Sequence, residues 1–415
     1  MEELKVLLAE LTAAVRAGDR ELAMALQARI LRHIADDAAR QAEVELEVRA
    51  LMAELDRPRP TPARRVELTL DKDARMGATA MRAPAFTDAP KGEVYPVWFG
   101  TNRKPNARGD GFTGERHTQT SHGRCDVFVP ESHRFGETGS PFWKRLLRFT
   151  LKDDHLRVQA TTALSREDWF AELNEILAEV PGEKHALLFL HGYNVSFEDA
   201  AIRAAQIGFD LKVPGATAFF SWPSRGATAA YPVDEASIEA SEAAITAFLV
   251  DFCTRVGADR VHLIAHSMGN RGLLRALQRI AANAAQAAKV RFAQIILAAP
   301  DVDRDLFIDL AGVYGQFAER TTLYASDADL PVHVSAKLHD APRAGYFTPY
   351  TVVPGVDTIA VPDFDLDLLG HSYFAQAEAL LHDMFVLIRH GSAPGERQRL
   401  QSARHDGVHF WRVGR

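Results

Sequence analysis

The stretch from Arg260 to Leu277, RVHLIAHSMGNRGLLRAL, constrains the fold more than any other part of the chain. Val261 to Ala265 is a short apolar run with the length and composition of a buried parallel strand. From Gly269 onward, Leu273, Leu274 and Leu277 recur at helical spacing. Between them lies A-H-S-M-G, a serine at a strand-to-helix turn flanked by small residues. Such a turn holds Ser267 in a strained backbone conformation and lifts its hydroxyl above the strand ends. Only small side chains at 265 and 269 let strand and helix pass so closely. The helix N-terminus adds positive potential beside the hydroxyl. The usual pattern is G-x-S-x-G, and Ala265 fills its first position with another small residue. Without its flanks Ser267 reads equally well as a helix N-cap. The strand before it and the helix after it favour a nucleophile.

The chain around this turn is regular. His185 to Leu190 (HALLFL), Ala216 to Trp222 (ATAFFSW), Ala293 to Ala298 (AQIILA), Thr321 to Ala325 (TTLYA) and Val356 to Val361 (VDTIAV) read as strands. Helices are predicted over Arg166 to Val180 with a Ser165 cap, Phe197 to Leu211, Ile238 to Val256 and about Phe374 to His390. This alternation predicts an α/β fold, a mostly parallel sheet with helices on both faces. Functional residues then sit on loops at the C-terminal ends of the strands. Upstream, Val94 to Phe99, Asp126 to Val129 and Leu156 to Thr162 read as further strands. The Gly- and Arg-rich GTNRKPNARGDGFTGER lacks the spacing of a phosphate loop and reads as a solvated loop.

The ends differ in character. Residues 1–56 carry Leu4, Leu7, Leu8, Leu11 and Val15, then Leu22, Leu26, Ile30 and Ile34 after a break at Gly18-Asp19. This is a helical hairpin whose apolar stripe cannot be buried within the segment. It is expected to dock on the main domain or to pair with a second copy, giving a homodimer. Residues 57–90 read as a linker that opens on the proline-rich RPRPTPAR. A catalytic domain is expected over 91–390, and residues 391–415 read as a loose, polar tail.

Composition excludes several function classes. A net charge of −7 argues against nucleic acid as the main partner. Two cysteines, Cys125 and Cys253, supply neither a disulfide framework nor a metal-ligand cluster. No run of about 20 apolar residues is present, so no membrane span is expected. The charged N-terminus lacks the pattern of a signal peptide, and a cytoplasmic location is expected.

A serine hydroxyl needs a base within hydrogen-bond reach, and the base needs an orienting acid. In strand-turn-helix serine enzymes the chain order is Ser, then Asp or Glu, then His. His371, between the last strand and the last helix, fills the histidine slot. His382 and His390 belong to that helix, and His339, His405 and His409 to a loop and the tail. Asp327 and Asp329 both follow TTLYA. Asp329 is favoured, because two extra residues allow the turn that aims a carboxylate back at the histidine. Asp301, after the previous strand, is the other alternative acid, or else it caps the helix that follows. The Met268 amide and the Tyr193 amide, after His191-Gly192, are the expected oxyanion donors. His191 and His266 read as bracing residues, and Tyr193, Phe197 and Trp222 as pocket or core aromatics.

HGYN, FFSWPS, HLIAHSMGN, ILAAPDVD and LGHSYF occur here in the order seen in α/β-hydrolases. The chain resembles one bacterial branch of that esterase/lipase superfamily, with VWFGTNR at the start of the domain and a match over about 91–390. The resemblance implies the α/β-hydrolase fold and a serine hydrolase that cleaves small-molecule carboxylic esters without a metal or cofactor. The competing expectation is an interaction protein that recruits a partner through its hairpin, with a vestigial or partner-activated hydrolase fold.

Overall fold

The computed structural model describes residues 92–130, 156–226, 230–326, 341–361 and 373–414, with side chains from 380 in the last stretch. The hairpin at 1–56, the linker at 57–90, and Asp327, Asp329 and His371 lie outside the described residues.

The first strands are β1 (Gly92–Pro105), β2 (Phe112–Pro130) and β3 (Arg157–Leu164). Then follow α1 (Arg166–Glu179), β4 (His185–Leu190), α2 (Phe197–Asp210), β5 (Gly215–Ser221), α3 (Tyr231–Ala240) and α4 (Glu242–Arg255). The centre of the fold is β6 (Arg260–His266), α5 (Gly269–Ala281), the short α6 (Ala284–Ala287) and β7 (Phe292–Ala298). The remainder is α7 (Arg304–Leu310), α8 (Tyr314–Phe317), β8 (Ala318–Ser326), β9 (Val356–Val361), α9 (Tyr373–His390), β10 (Leu400–His405) and β11 (Val408–Val413).

All the strands join one sheet in the order β10-β11-β9-β8-β7-β6-β4-β5-β1-β2-β3. The run from β11 to β1 is parallel, and antiparallel pairs close both edges. Both sheet faces are covered, which is why HALLFL is apolar without alternation. Leu188 and Leu190 face one apolar cluster with Leu263, Leu273 and Phe248. Leu187 and Phe189 face the other, with Ile264, Ile296 and Leu387. On α5, the buried Leu273, Leu274, Leu277 and Ile280 form the stripe that docks the helix on the sheet. Each such side chain contributes about 1.5–3 kcal/mol. β5 lies on one side of β4 and β6 on the other, so the sheet order reverses beside β4. A crevice at such a reversal, outside the strand C-termini, is where open α/β sheets bind ligands.

Three expectations are corrected. Residues 391–415 are not a loose tail: β10 and β11 form a hairpin, and β11 extends the sheet in parallel with β9. Arg397 anchors that segment from within, donating to Asp383 at 3.0 Å, while Tyr324 donates to the same carboxylate at 2.6 Å. The polar composition reflects an edge hairpin that is largely exposed, with Phe410 buried on one sheet face and Leu400 and Val413 on the other. GTNRKPNARGDGFTGER is not a solvated loop. Most of it is strand, with β1 running to Pro105, β2 starting at Phe112 and a turn over 106–111. The helix expected over Ile238 to Val256 is two helices joined at Ser241, whose hydroxyl donates back to the Ser237 carbonyl at 2.7 Å. That hydroxyl also accepts from Asn102 Nδ2 at 2.9 Å, which fixes the break against β1. Among the described residues, no helix is long and apolar enough to cross a membrane.

Candidate active site

Ser267 follows β6 directly and precedes the first residue of α5. Its φ is +48°, a left-handed conformation that non-glycine residues adopt only when the surroundings impose it. The imposing contacts are on hand. Its N–H donates to Ala298 O at 2.9 Å, and its carbonyl accepts from Asp301 N at 3.1 Å and Asn270 N at 3.1 Å. A Cβ on Gly269 would lie 2.5 Å from His191 O, so only glycine lets α5 pass the end of β4. Ala265 is fully buried at the same crossing. Among the described residues, the Ser267 hydroxyl has no hydrogen-bond partner, and no backbone carbonyl takes the Met268 amide.

The loop after β4 lies against this turn. A Cβ on Gly192 would sit 3.0 Å from Ser267 Cβ and 2.8 Å from His266 Nδ1. Glycine at 192 therefore brings the loop backbone next to the serine. Tyr193 packs edge-on against Tyr231 with ring centroids 5.2 Å apart. Burial pushes its phenol pKa up, which keeps the hydroxyl neutral. Asn194 continues the loop with a φ of +56°. Its amide donates to Asp234 Oδ2 at 3.3 Å, and the Val195 amide donates to Ser224 Oγ at 3.0 Å.

Several residues behind that loop belong to no motif of the sequence. Arg103, on β1 just past its pairing with β5, is buried. Its guanidinium donates to Ser221 Oγ at 2.8 Å, Ser224 O at 2.8 Å and Val195 O at 2.7 Å. Burial lowers its pKa to about 9, with Asp234 opposing the fall, so it stays charged at neutral pH. Asp234 accepts from Ser224 Oγ at 2.5 Å and Arg225 N at 2.8 Å. Burial raises its pKa against those hydrogen bonds. The usable signal was the polar T-N-R closing an apolar run: Thr101, Asn102 and Arg103 are all buried.

Asp301 occupies a different setting. Its carboxylate accepts from the Tyr231 hydroxyl at 2.6 Å, pairs with Arg271 at 3.3 Å and faces Arg343 at 3.5 Å. Arg271 also donates to the Asp301 carbonyl at 2.6 Å and pairs with Glu235. The helix cap expected of Asp301 falls to Asp303, whose side chain accepts from Asp305 N and Leu306 N. Asp327 and Asp329 come next in the chain after the end of β8, and His371 lies between β9 and α9. The register pairs His266 with Ala298, Ala298 with Tyr324 and Tyr324 with Ile359, so β6 to β9 end along one edge.

His191 and His266 are buried, and burial drives both imidazoles far toward the neutral form. Trp222 is buried and stacks on His191 at 5.0 Å. Phe197 packs at 4.9 Å on Phe99 and 4.6 Å on Phe112 in the core and also lines a cavity at the start of α2. That cavity, of about 470 Å³, lies between the β1–β2 turn, β3 and the start of α2, with Asn106, Phe112, Thr161 and Glu198 in its walls. Among the described residues, no three histidine, cysteine, aspartate or glutamate side chains converge as metal ligands would.

No curated protein matches this chain. Among solved structures, it is similar to an uncharacterized protein from Bacillus cereus ATCC 10987, with 15% identity and a TM-score of 0.32. That alignment covers 51% of this chain and 61% of the other, so the chain spans about three-fifths of the length of that protein. It is also similar to the HSL-homolog EstE7 from a metagenome library, with 16% identity, a TM-score of 0.27, and 50% and 78% of the two chains covered. The family model described as an alpha/beta hydrolase of unknown function (DUF900) matches residues 166–389, from α1 to the end of α9. That is more than half of the chain and holds both loops of the serine site, and the chain belongs to this alpha/beta hydrolase family.

Proposed function

We propose that the protein is a serine hydrolase that cleaves carboxylic esters through an acyl-enzyme. One observation carries the reading: Ser267 sits at φ +48° on the β6–α5 turn, with the Gly192 backbone packed against it. A backbone strained at a polar residue, beside a glycine-opened loop, favours chemistry over a capping role. In the proposed reaction Ser267 Oγ attacks the acyl carbon as His371 takes its proton. The same imidazole returns that proton to the leaving alcohol. Water activated by His371 then releases the acid and restores the serine. Asp329 holds the imidazole, with Asp327 and Asp301 as alternatives. The ion pairs and tyrosine contact of Asp301 support Asp329 over it. The amides of Met268 and Tyr193 receive the oxyanion.

Labelling with a fluorophosphonate probe, followed by mass mapping of the adduct, tests the reading. The expected adduct is on Ser267, with loss of p-nitrophenyl butyrate hydrolysis in step with labelling. An unlabelled Ser267 in a hydrolytically active protein refutes it. For residues 1–56 we propose a homodimer contact. Deleting 1–60 should weaken the dimer in light scattering while activity per site survives, and equal masses for both forms would refute it.

A further inference from the structure

The loop that carries Tyr193 is held by a chain of hydrogen bonds whose proton positions can be worked out. The Arg103 guanidinium can only donate, so Ser221 Oγ accepts at 2.8 Å from Arg103 Nε. Ser221 Oγ lies 3.2 Å from His191 Nε2, and His191 Nδ1 lies 2.8 Å from Gly192 O. A carbonyl oxygen can only accept, so a lone pair on Nδ1 at that distance would face another lone pair. Nδ1 therefore carries the proton. Burial, reinforced by the positive charge of Arg103, keeps the ring neutral. In a neutral imidazole the other nitrogen is an acceptor, so Ser221 must donate its own proton to Nε2. The Trp222 carbonyl also faces the ring; it accepts Ser224 N–H at 2.8 Å, and its second lone pair is the acceptor that the competing Nε2–H tautomer would need. All four groups then have matched roles, running from Arg103 through Ser221 and His191 to Gly192 O.

The end of this chain matters because of peptide planarity. Gly192 C=O and Tyr193 N–H belong to one rigid peptide and point in opposite directions. Fixing the carbonyl fixes the amide. We infer that Arg103, Ser221 and His191 form a positioning relay that orients the Gly192–Tyr193 peptide, so that the Tyr193 amide is aimed at the oxyanion before substrate arrives. This rests on the serine-hydrolase reading given above. The relay differs from simple bracing of the loop. Bracing needs the ring of His191 stacked on Trp222, whereas the relay needs a donor at the position of Nδ1.

Two substitutions separate these roles. His191→Phe keeps an aromatic ring for the Trp222 stack and removes the donor. His191→Asn loses the stack and keeps an amide N–H near the position of Nδ1. The relay predicts that His191→Phe lowers kcat by about 10²-fold with little change in KM, the signature of a lost transition-state donor. It predicts a kcat for His191→Asn at least about tenfold above that of His191→Phe. The reverse order, or equal kcat values, overturns the relay. If either variant fails to fold, the wild-type protein decides the matter. Long-range proton–nitrogen NMR correlations on isotope-labelled histidine should show His191 as the neutral Nδ1–H tautomer at neutral pH. An Nε2–H tautomer or an imidazolium overturns the relay. A wild-type protein that hydrolyses esters and labels at Ser267 while His191→Phe matches it removes the relay alone. A wild-type protein with neither activity nor label removes the parent reading and the relay with it.

Discussion

Two loops meet at the candidate site, and they are held in opposite ways. The turn after β6 is held locally: Ser267, Asn270 and Gly269 are near neighbours in sequence, and the bond from Ser267 N–H to Ala298 reaches only the next strand. The loop after β4 is held remotely, by Arg103 about 90 residues upstream and by Ser224 and Asp234 downstream, through buried or part-buried polar bonds. Strain placed on a nucleophile can be written into five consecutive residues. Aiming a backbone amide needs groups on several sides, and sequence neighbours cannot supply them. The first loop should therefore fail through sterics and the second through loss of hydrogen-bond partners.

The largest effect is expected at the local turn. Ser267→Ala should lower kcat on p-nitrophenyl butyrate by at least about 10⁴-fold while the thermal midpoint stays near that of the wild type. Turnover close to wild type would remove Ser267 from the chemistry. Next comes the proposed acid, Asp329, which follows β8 in the chain. Asp329→Asn should cost roughly 10⁴-fold in kcat by leaving the imidazole in the wrong tautomer. Asp301→Asn should act mainly on stability, since it weakens the contacts to Arg271 and Arg343. If the kinetic losses are reversed, Asp301 is the acid.

Gly269→Ala tests the steric side of the comparison. Its Cβ would meet His191 O at 2.5 Å and Leu190 O at 2.9 Å, both backbone atoms that cannot swing away. A loss of about 1–3 kcal/mol in denaturant unfolding is expected. Gly312→Ala, where a Cβ meets nothing within 4 Å, is the control and should lose far less. Equal losses would show that β4 and α5 are not in forced contact.

The last test lies away from both loops and concerns a proton linkage that leaves stability at neutral pH unchanged. His262 Nε2 is 3.0 Å from His185 Nδ1 near the start of β6 and β4. Burial, with His185 and Arg260 adding to it, pushes the His262 pKa down to about 3. Between about 3 and the ordinary 6.5 the unfolded chain binds more protons than the folded one. Stability therefore rises with pH across that window, and is lost as pH falls below the unfolded value. His262→Gln should flatten this slope by up to about 1.4 kcal/mol per pH unit, read from urea midpoints. An unchanged slope would mean that His262 is already protonated in the folded protein.

Legibility in the sequence followed the range of the interactions. The strands from HALLFL to VDTIAV were readable because each is a short apolar run between breakers, and burial on both faces leaves no alternation to confuse the pattern. The Ser165 cap on α1 was readable for the same reason, since its bond spans only three residues, to Asp168 N. The misread segments have distant partners. Residues 400–413 look polar because most of their side chains are exposed at the sheet edge, and only the pairing of β11 with β9 adds their hairpin to the sheet. The break at Ser241 depends in part on Asn102, 139 residues away.

By itself, the sequence determined the α/β alternation, the small residues around Ser267 and thus the strained turn, because backbone sterics act between adjacent residues. Only the tertiary structure decided that Arg103 is a buried donor rather than part of a solvated loop, that Asp301 sits between two arginines, and that the C-terminal residues extend the sheet. A buried charge or an unpaired strand edge is tolerable only where its partners arrive, and those partners come from parts of the chain that composition and periodicity do not connect.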